Sequence, residues 1–269
     1  MELITSFRNP LVKRIKRLRQ RKYRQAEGAF FVEGIRVVLA ALEQGAVVEC
    51  LVYAPALLTS TPGRAAVAQY ADQGLPCHAL DAAVFAAVSE RENPAGLGAI
   101  VRRPLLSLDA LGVTPAGVYT ALVEVSDPGN LGTILRTIDA AGGSGLILVG
   151  DCVDPFHPTA VKASMGTLFS VPMASAPDTA TLLAWARTRG LHTVATSAKA
   201  TGDYRRTVYH YPALLLLGSE GAGLDAATLS AADCAVTIPM RGTASSLNLA
   251  VAAGLLLYEL TRPGDQASA

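Results

Sequence analysis

The chain has 269 residues, 51% hydrophobic, 17% charged and 6% aromatic, with a formal net charge of +1. High hydrophobicity with little net charge excludes an intrinsically disordered chain, and the length suffices for two domains. Mean hydropathy is +0.34, yet no run of 18 apolar residues exists, and Arg8, Lys13, Arg14, Lys16 and Arg17 stand where a signal peptide would be apolar; the reading is a soluble, cytoplasmic protein with no membrane partner.

The first predicted element is a cationic helix. Residues 8–24 carry nine basic side chains, Arg8, Lys13, Arg14, Lys16, Arg17, Arg19, Arg21, Lys22 and Arg24, and no acid. The other 14 basic residues face all 22 acidic ones, so this arm is +9 and the body near −8. A solvated helical face normally mixes signs, because opposite charges at i,i+4 support the helix. Nine like charges gain most when a polyanion approaches. Leu11, Val12, Ile15 and Leu18 recur at helical spacing, so one edge can dock while the cations face outward. The arm points to a nucleic acid without saying which.

Beyond the arm, 29–32 reads as a strand, 35–44 as a helix and 47–53 as a second strand. A helix at 63–73, a short strand at 77–79, a helix at 82–89 and a strand at 97–101 complete a small α/β unit. Residues 102–117 hold Pro104, Gly112, Pro115 and Gly117 with no sustained period, which suggests a boundary. Strands at 118–125, 146–149, 193–196, 213–217 and 236–239 then alternate with helices at 131–141, 182–189 and 247–260. Near-continuous apolar strands separated by helices predict a parallel sheet covered on both faces. The expected division is 1–103 as a first domain carrying the basic helix 8–24, 104–116 as a linker, 117–262 as a second domain and 263–269 as a flexible tail.

Cys50, Cys77, Cys152 and Cys234 form no C-x-x-C pair, and His78, His157, His192 and His210 are scattered. Neither a metal nor a disulfide is expected.

Three strands run into unusual turns, and in an open α/β sheet ligands gather at the carboxyl ends of strands. The first is Ser126-Asp127-Pro128-Gly129-Asn130-Leu131-Gly132, with Arg136 less than two helical turns beyond Asn130. Alone it reads as an ordinary turn with Asn130 as N-cap. The second is Gly218-Ser219-Glu220-Gly221-Ala222-Gly223-Leu224, whose glycines admit close backbone approach. It matches neither G-x-G-x-x-G nor a P-loop, so a nicotinamide or nucleotide-triphosphate site is poorly supported. The third runs from Ile238 to Asn248 and includes Ser245 and Ser246, either of which could cap the following helix. Asn248 opens the most apolar helix of the chain and, if buried, needs partners.

Taken together, Asn130-Leu131-Gly132-x-x-x-Arg136-Thr137, Gly218-Ser219-Glu220-Gly221-x-Gly223-Leu224 and Ile238-Pro239-Met240-x-Gly242-x-x-x-Ser246-Leu247-Asn248 resemble the three motifs of the SpoU (TrmH-type) RNA 2′-O-methyltransferases, members of the SPOUT class. The match runs from about Gly117 to Leu260 in the family's order. Lys162-Ala163-Ser164-Met165-Gly166 with Pro172 resembles a lesser family feature, and the N-terminal part is similar to the family's small L30e-like domain. Ile138 and Ala250 stand where alanine and serine are commoner, and Ser245 replaces a frequent acid.

The resemblance implies transfer of a methyl group from S-adenosyl-L-methionine to a ribose 2′-hydroxyl of RNA, with rRNA of the 23S type favoured over tRNA and no DNA partner expected. It implies a trefoil knot in the C-terminal domain and a homodimer through that domain, with the 247–260 helix supplying part of the interface. Cofactor contacts would come from Thr196, Leu217, Gly218, Ser219, Glu220, Ile238, Met240, Ser246 and Leu247. Catalysis would involve Asn130, Arg136, Glu220, Ser246 and Asn248, and the nine arm cations would hold RNA. Arg136 is the family's proposed catalytic residue. A guanidinium is always protonated, so a phosphate grip and stabilisation of the developing alkoxide suit it better than proton abstraction. The rival readings are a non-catalytic RNA-binding or ribosome-assembly protein on this scaffold, and a Rossmann oxidoreductase. The latter wants its glycines after a strand, whereas Gly142-Gly143-Ser144-Gly145 precedes one.

Overall fold

A computed structural model describes residues 3–262; the expected tail, 263–269, lies outside them. The chain divides into two units. The first takes the chain up to Pro104 and then Asp154–Phe169; the second takes Leu105–Val153 and the chain from Ser170 onward.

The first unit opens with α1 (Pro10–Leu18) and α2 (Arg21–Glu27), so the cationic segment is two helices rather than one. Asn9 caps α1 by accepting from the Leu11 N–H at 2.9 Å, and Pro10 follows at the position where a missing N–H costs nothing. The break has a specific cause. Arg24 turns back from α2 and donates Nη1 to the carbonyls of Leu18 and Arg19, at 2.9 and 2.6 Å, satisfying acceptors that the end of α1 leaves open. Val12, Ile15 and Leu18 are buried, so the apolar edge read from the sequence does dock. Gly28 in the left-handed region, φ 62°, ends α2 and turns the chain into β1 (Ala29–Glu33).

There follow α3 (Ile35–Glu43), β2 (Val48–Tyr53), α4 (Thr61–Asp72), β3 (Cys77–Ala79), α5 (Ala82–Val88) and β4 (Leu97–Arg102). The sheet order is β1-β4-β2-β3, with β4 antiparallel to both neighbours and β3 parallel to β2.

The second unit begins at β5 (Leu105–Ser107), inside the segment expected to be a linker. β5 pairs in parallel with β8, and Leu108 and Leu111 behind it enter the core. Residues 104–116 were misleading because Pro104, Gly112 and Pro115 interrupt the period while the leucines between them still find a buried place. The unit continues with β6 (Val118–Val123), α6 (Pro128–Ala141) and β7 (Gly145–Val149). The chain then leaves for the first unit, where it forms α7 (Pro158–Ser164), and returns as β8 (Met173–Ala176). The remaining elements are α8 (Thr179–Thr188), β9 (His192–Thr196), β10 (Gly202–Asp203), β11 (Ala213–Leu217), α9 (Ala226–Ala231), β12 (Cys234–Thr237) and α10 (Leu249–Leu260). The eight strands lie in the order β10-β12-β9-β11-β6-β7-β8-β5, and every pairing is parallel. β7 and β11 are buried along their whole length, as a sheet covered on both faces requires.

The return segment completes the first unit's interior. Asp154 and Arg24, both nearly inaccessible, form an ion pair at 2.8 Å, and the other Asp154 oxygen accepts from the Phe156 N–H. The Phe156 ring lies 4.7 Å from Phe30 and that of Phe169 6.2 Å from it, while the Arg103 guanidinium stands 4.9 Å from the Phe156 centroid. Gly166 has φ 101°, and a Cβ there would stand 2.6 Å from the Ala40 side chain. The glycine of the Lys162-to-Gly166 feature thus serves packing within this unit. Cys50, Cys77 and Cys152 are buried too, and burial pushes the Cys50 thiol up to about 11, so it behaves as a small hydrophobe. No helix among the described residues is long and apolar enough to cross a membrane.

Candidate active site

In a parallel sheet all strand carboxyl ends share one edge, and the three motif segments leave that edge from β6, β11 and β12. Asp127 caps α6, accepting from the Asn130 N–H at 2.6 Å. Asn130 is therefore not the N-cap, and its side chain is released for another task. Asp-Pro at the start of a helix is the signal that identifies this cap. Asn248 caps α10 through Oδ1, with the Ala250 and Val251 N–H groups donating at 2.9 and 3.3 Å, so neither Ser245 nor Ser246 has that role. Asn248 is exposed rather than buried, yet it is fully partnered.

The freed amides form a chain. Asn130 donates Nδ2 to Glu220 Oε1 at 3.0 Å, and Asn248 donates Nδ2 to Asn130 Oδ1 at 3.0 Å. An ionised carboxylate only accepts, so Glu220 dictates which end of the Asn130 amide faces it and which end faces Asn248. The second Glu220 oxygen accepts from the Ser126 N–H at 3.4 Å. Three loops, the first 90 and 118 residues from the other two at these contacts, are thus tied through three side chains. Burial alone would raise the Glu220 pKa, but hydrogen bonds from the Asn130 amide, its own backbone and the backbone of Ser126 and Asp127 outweigh it and hold the carboxyl below its ordinary value. A carboxylate held in this way is a weak base and a good anchor.

The Glu220 loop is folded tightly: the Gly223 N–H donates to the Ser219 carbonyl at 3.0 Å, and a Cβ on Gly218 would overlap the backbone of Gly223 and Leu224. At Gly221, Gly223 and Gly242 an added Cβ would meet nothing within 4 Å, so open space adjoins these loops. Thr196 ends β9 with Oγ1 donating to the Leu216 carbonyl at 2.9 Å, beside buried Leu217. Ser219, Ile238 and Leu247 are half-buried and Met240 is exposed at the same edge.

Two expected catalytic residues stay outside the network. Arg136, exposed in the third turn of α6, has no hydrogen-bond or ion-pair partner among the described residues, and Ser246 is exposed in the loop before α10. Arg136 is therefore available to an incoming anion.

The cationic arm is less free than its sequence implied. Arg24 is buried against Asp154 and is not an RNA contact. Arg14 pairs with Glu27 and Glu49, both at 2.7 Å, Arg17 approaches Glu27 at 3.7 Å, and Arg19 meets Glu90 at 3.5 Å and the Ser89 carbonyl at 2.9 Å. The acids missing from the segment are supplied by other elements of the same unit. Arg8, Lys13, Arg21 and Lys22 are exposed, Lys16 lies 5.9 Å from the Phe7 ring, and Lys22 lies 4.9 Å from that of Tyr23.

Residues 117–258 match the SpoU rRNA Methylase family, and residues 9–99 match the MRM3-like substrate binding domain. The 23S rRNA (guanosine(2553)-2′-O)-methyltransferase RlmP of Bacillus subtilis is 32% identical, covering 97% of this chain and 99% of that protein. A 23S rRNA (uridine(2479)-2′-O)-methyltransferase of Streptomyces viridochromogenes is 33% identical over 91% of this chain and 86% of its own length. The structure of an AdoMet-bound rRNA methyltransferase from Sinorhizobium meliloti superposes with a TM-score of 0.88 at 37% identity, covering 97% of both chains.

Proposed function

The chain belongs to the SpoU rRNA methylase family, and we propose that the tied loops of its second unit form the site at which a ribose 2′-hydroxyl of RNA is methylated. The enzyme uses S-adenosyl-L-methionine, and its substrate is RNA, with 23S-type rRNA favoured over tRNA. The observation that carries the assignment of the site is the Asn248–Asn130–Glu220 chain, which makes one rigid edge of three separate loops.

The residues present fit the cofactor. Backbone groups of Leu217, Gly218 and Ser219 together with Ile238, Met240 and Leu247 offer apolar surface and hydrogen-bonding backbone beside the open space at Gly221 and Gly242, which suits a flat adenine and a short aliphatic chain. Thr196, Glu220 and Ser246 complete the proposed contacts. When bound, S-adenosyl-L-methionine supplies an electrophilic methyl group. Asn130 and Asn248 orient Glu220 and hold the loops, and low basicity makes Glu220 a brace rather than a proton acceptor. Arg136 grips the phosphate next to the target ribose and stabilises the developing alkoxide as the 2′-hydroxyl proton passes to water. Ser246 hydrogen-bonds the ribose or cofactor.

The two relatives named above act on a guanosine and on a uridine, although each shares about a third of its residues with this chain. Base identity is therefore not set by the shared machinery, and selection of the nucleotide falls to RNA shape and to the first unit. Val251, Leu255 and Tyr258 are exposed along one side of α10 at i, i+4 and i+7, which supports a homodimer through this unit; sedimentation of Tyr258→Glu should show monomer. The trefoil knot and a cytoplasmic location belong to the same reading. Deleting the gene and mapping 2′-O-methyl nucleotides across rRNA and tRNA tests it. Loss of one rRNA position supports it, whereas no lost position favours a non-catalytic RNA-binding role.

A further inference from the structure

The carboxyl edge of the eight-stranded sheet is divided by charge. At its β10-β12-β9 side, Lys199 follows β9, Arg205 and Arg206 follow β10, and Arg241 follows β12; all four are exposed. Across the edge, Glu124, Asp151 and Asp178 follow β6, β7 and β8, also exposed. Strands lie about 4.8 Å apart, so the two groups are separated by roughly 10–30 Å along the order of strands, against a Debye length of about 8 Å at physiological salt. An approaching polyanion therefore feels each side separately, not the unit's net charge.

The cationic side is also built rather than loose. The Tyr204 N–H donates to the Thr237 carbonyl at 3.1 Å, extending the β10–β12 ladder. Asp203 then closes a turn: its carbonyl accepts from the N–H groups of Arg206 and Thr207 at 2.9 and 3.1 Å, and its carboxylate from the Arg205 N–H at 3.0 Å. Tyr209 locks this turn by donating its hydroxyl to the Tyr204 carbonyl at 2.5 Å. Two arginines are thus displayed side by side, with the Arg205 guanidinium 5.5 Å from the Tyr204 ring centroid. Its Nε lies at a loose 4.0 Å from the Asp203 carboxylate, an exposed contact that phosphate can replace. A guanidinium beside an aromatic ring, next to further cations, suits phosphates and an unpaired base.

We propose that Arg205 and Arg206, with Lys199 and Arg241, are the RNA track of the catalytic unit: they bind the backbone beside the target nucleotide and lead the strand in over β10 and β12, away from the acidic side. This rests on the reading of the chain as an RNA methyltransferase. The test compares the full-length Arg205→Gln/Arg206→Gln variant with Arg187→Gln/Arg189→Gln, which removes the same charge at the carboxyl end of α8, on the opposite edge of the sheet. The probe is fluorescently labelled fragments of bacterial 23S rRNA, titrated at several salt concentrations. The first variant should lower the slope of log affinity against log salt by about 1.5, near 0.7–0.9 per phosphate contact, and raise KM for RNA with kcat at saturating RNA unchanged. The control pair should leave the slope in place. An unchanged slope in the first variant, or an equal fall in the control, overturns the track. A wild type that binds RNA but transfers no methyl group sinks the enzyme reading while the slope still decides the track, and a wild type that binds no RNA overturns both.

Discussion

The two units treat charge in opposite ways. The first holds 15 basic and 10 acidic residues, a net +5, and the second 8 basic and 12 acidic, a net −4. In the first, much of the charge is structural: Glu27 and Glu49 gather Arg14, Arg17 and Arg102, and Asp154 holds Arg24 in the interior. In the second, the strands are nearly uncharged, and neutral amides tie the loops while Arg136 is left without a partner among the described residues. A cation already engaged by a carboxylate has less charge and fewer free N–H groups to offer an incoming anion. The lesson is that a site's working charges are those the fold declines to satisfy.

That contrast is easiest to break at Arg136. Arg136→Ala should lower kcat by about 10²–10³-fold, the cost of removing one preorganised electrostatic contact, and leave cofactor affinity nearly unchanged. Labelled-methyl transfer and calorimetric titration separate these, and lost cofactor binding would make Arg136 structural. The next effect belongs to the first unit. Asp154→Ala strands a buried guanidinium and should cost about 3–5 kcal/mol in denaturant unfolding, while Arg24→Met/Asp154→Leu should recover most of it. If the single variant unfolds like wild type, the pair is not holding that interior.

A subtler test uses pH. The folded Glu220 pKa lies below its ordinary value of 4.5, so its contribution is complete above that value and is lost as pH falls through the folded one. Cofactor binding should thus persist below pH 4.5 in wild type, and Asn130→Ala, which removes the principal donor, should move the acid-side loss upward. An unshifted acid limb would take Glu220 out of the site. The smallest expected effect is at the arm: Lys13→Gln and Lys22→Gln should each reduce the salt slope of RNA binding by roughly one, with kcat at saturating RNA unchanged. An unchanged slope would mean that the arm's cations serve only the fold.

How much of this was legible depended on the range of the interactions. The parallel sheet could be read because β7 and β11 are apolar on both faces, and the three loops could be read because their polar residues are out of place at the ends of such strands. Asp127 as the cap of α6 was hidden by Asn130, an equally good capping residue three positions later. The single basic helix was wrong because Arg24 takes its partners from Asp154, far along the chain, and no local rule reveals that. The supposed linker failed for the same reason: β5 is defined by β8, which pairs with it from 68 residues away at Leu105 and Met173. α7, β8 and α9 left no clear period, being four to seven residues long.

The return of Asp154–Phe169 to the first unit also governs the order in which the units can complete their folding. When Pro104 leaves the ribosome, that unit still lacks Asp154, Phe156 and Phe169. Arg24 then has the Leu18 and Arg19 carbonyls but no countercharge, and Phe30 has neither of its aromatic neighbours. At about 5–20 residues per second, translation needs roughly 3–13 s to deliver the missing segment through Phe169. During that interval β5, β6, α6 and β7 are already emerging, so the N-terminal unit begins first yet cannot finish until three of the eight strands of the second sheet have been synthesised. Nascent-chain folding is thereby interleaved rather than sequential.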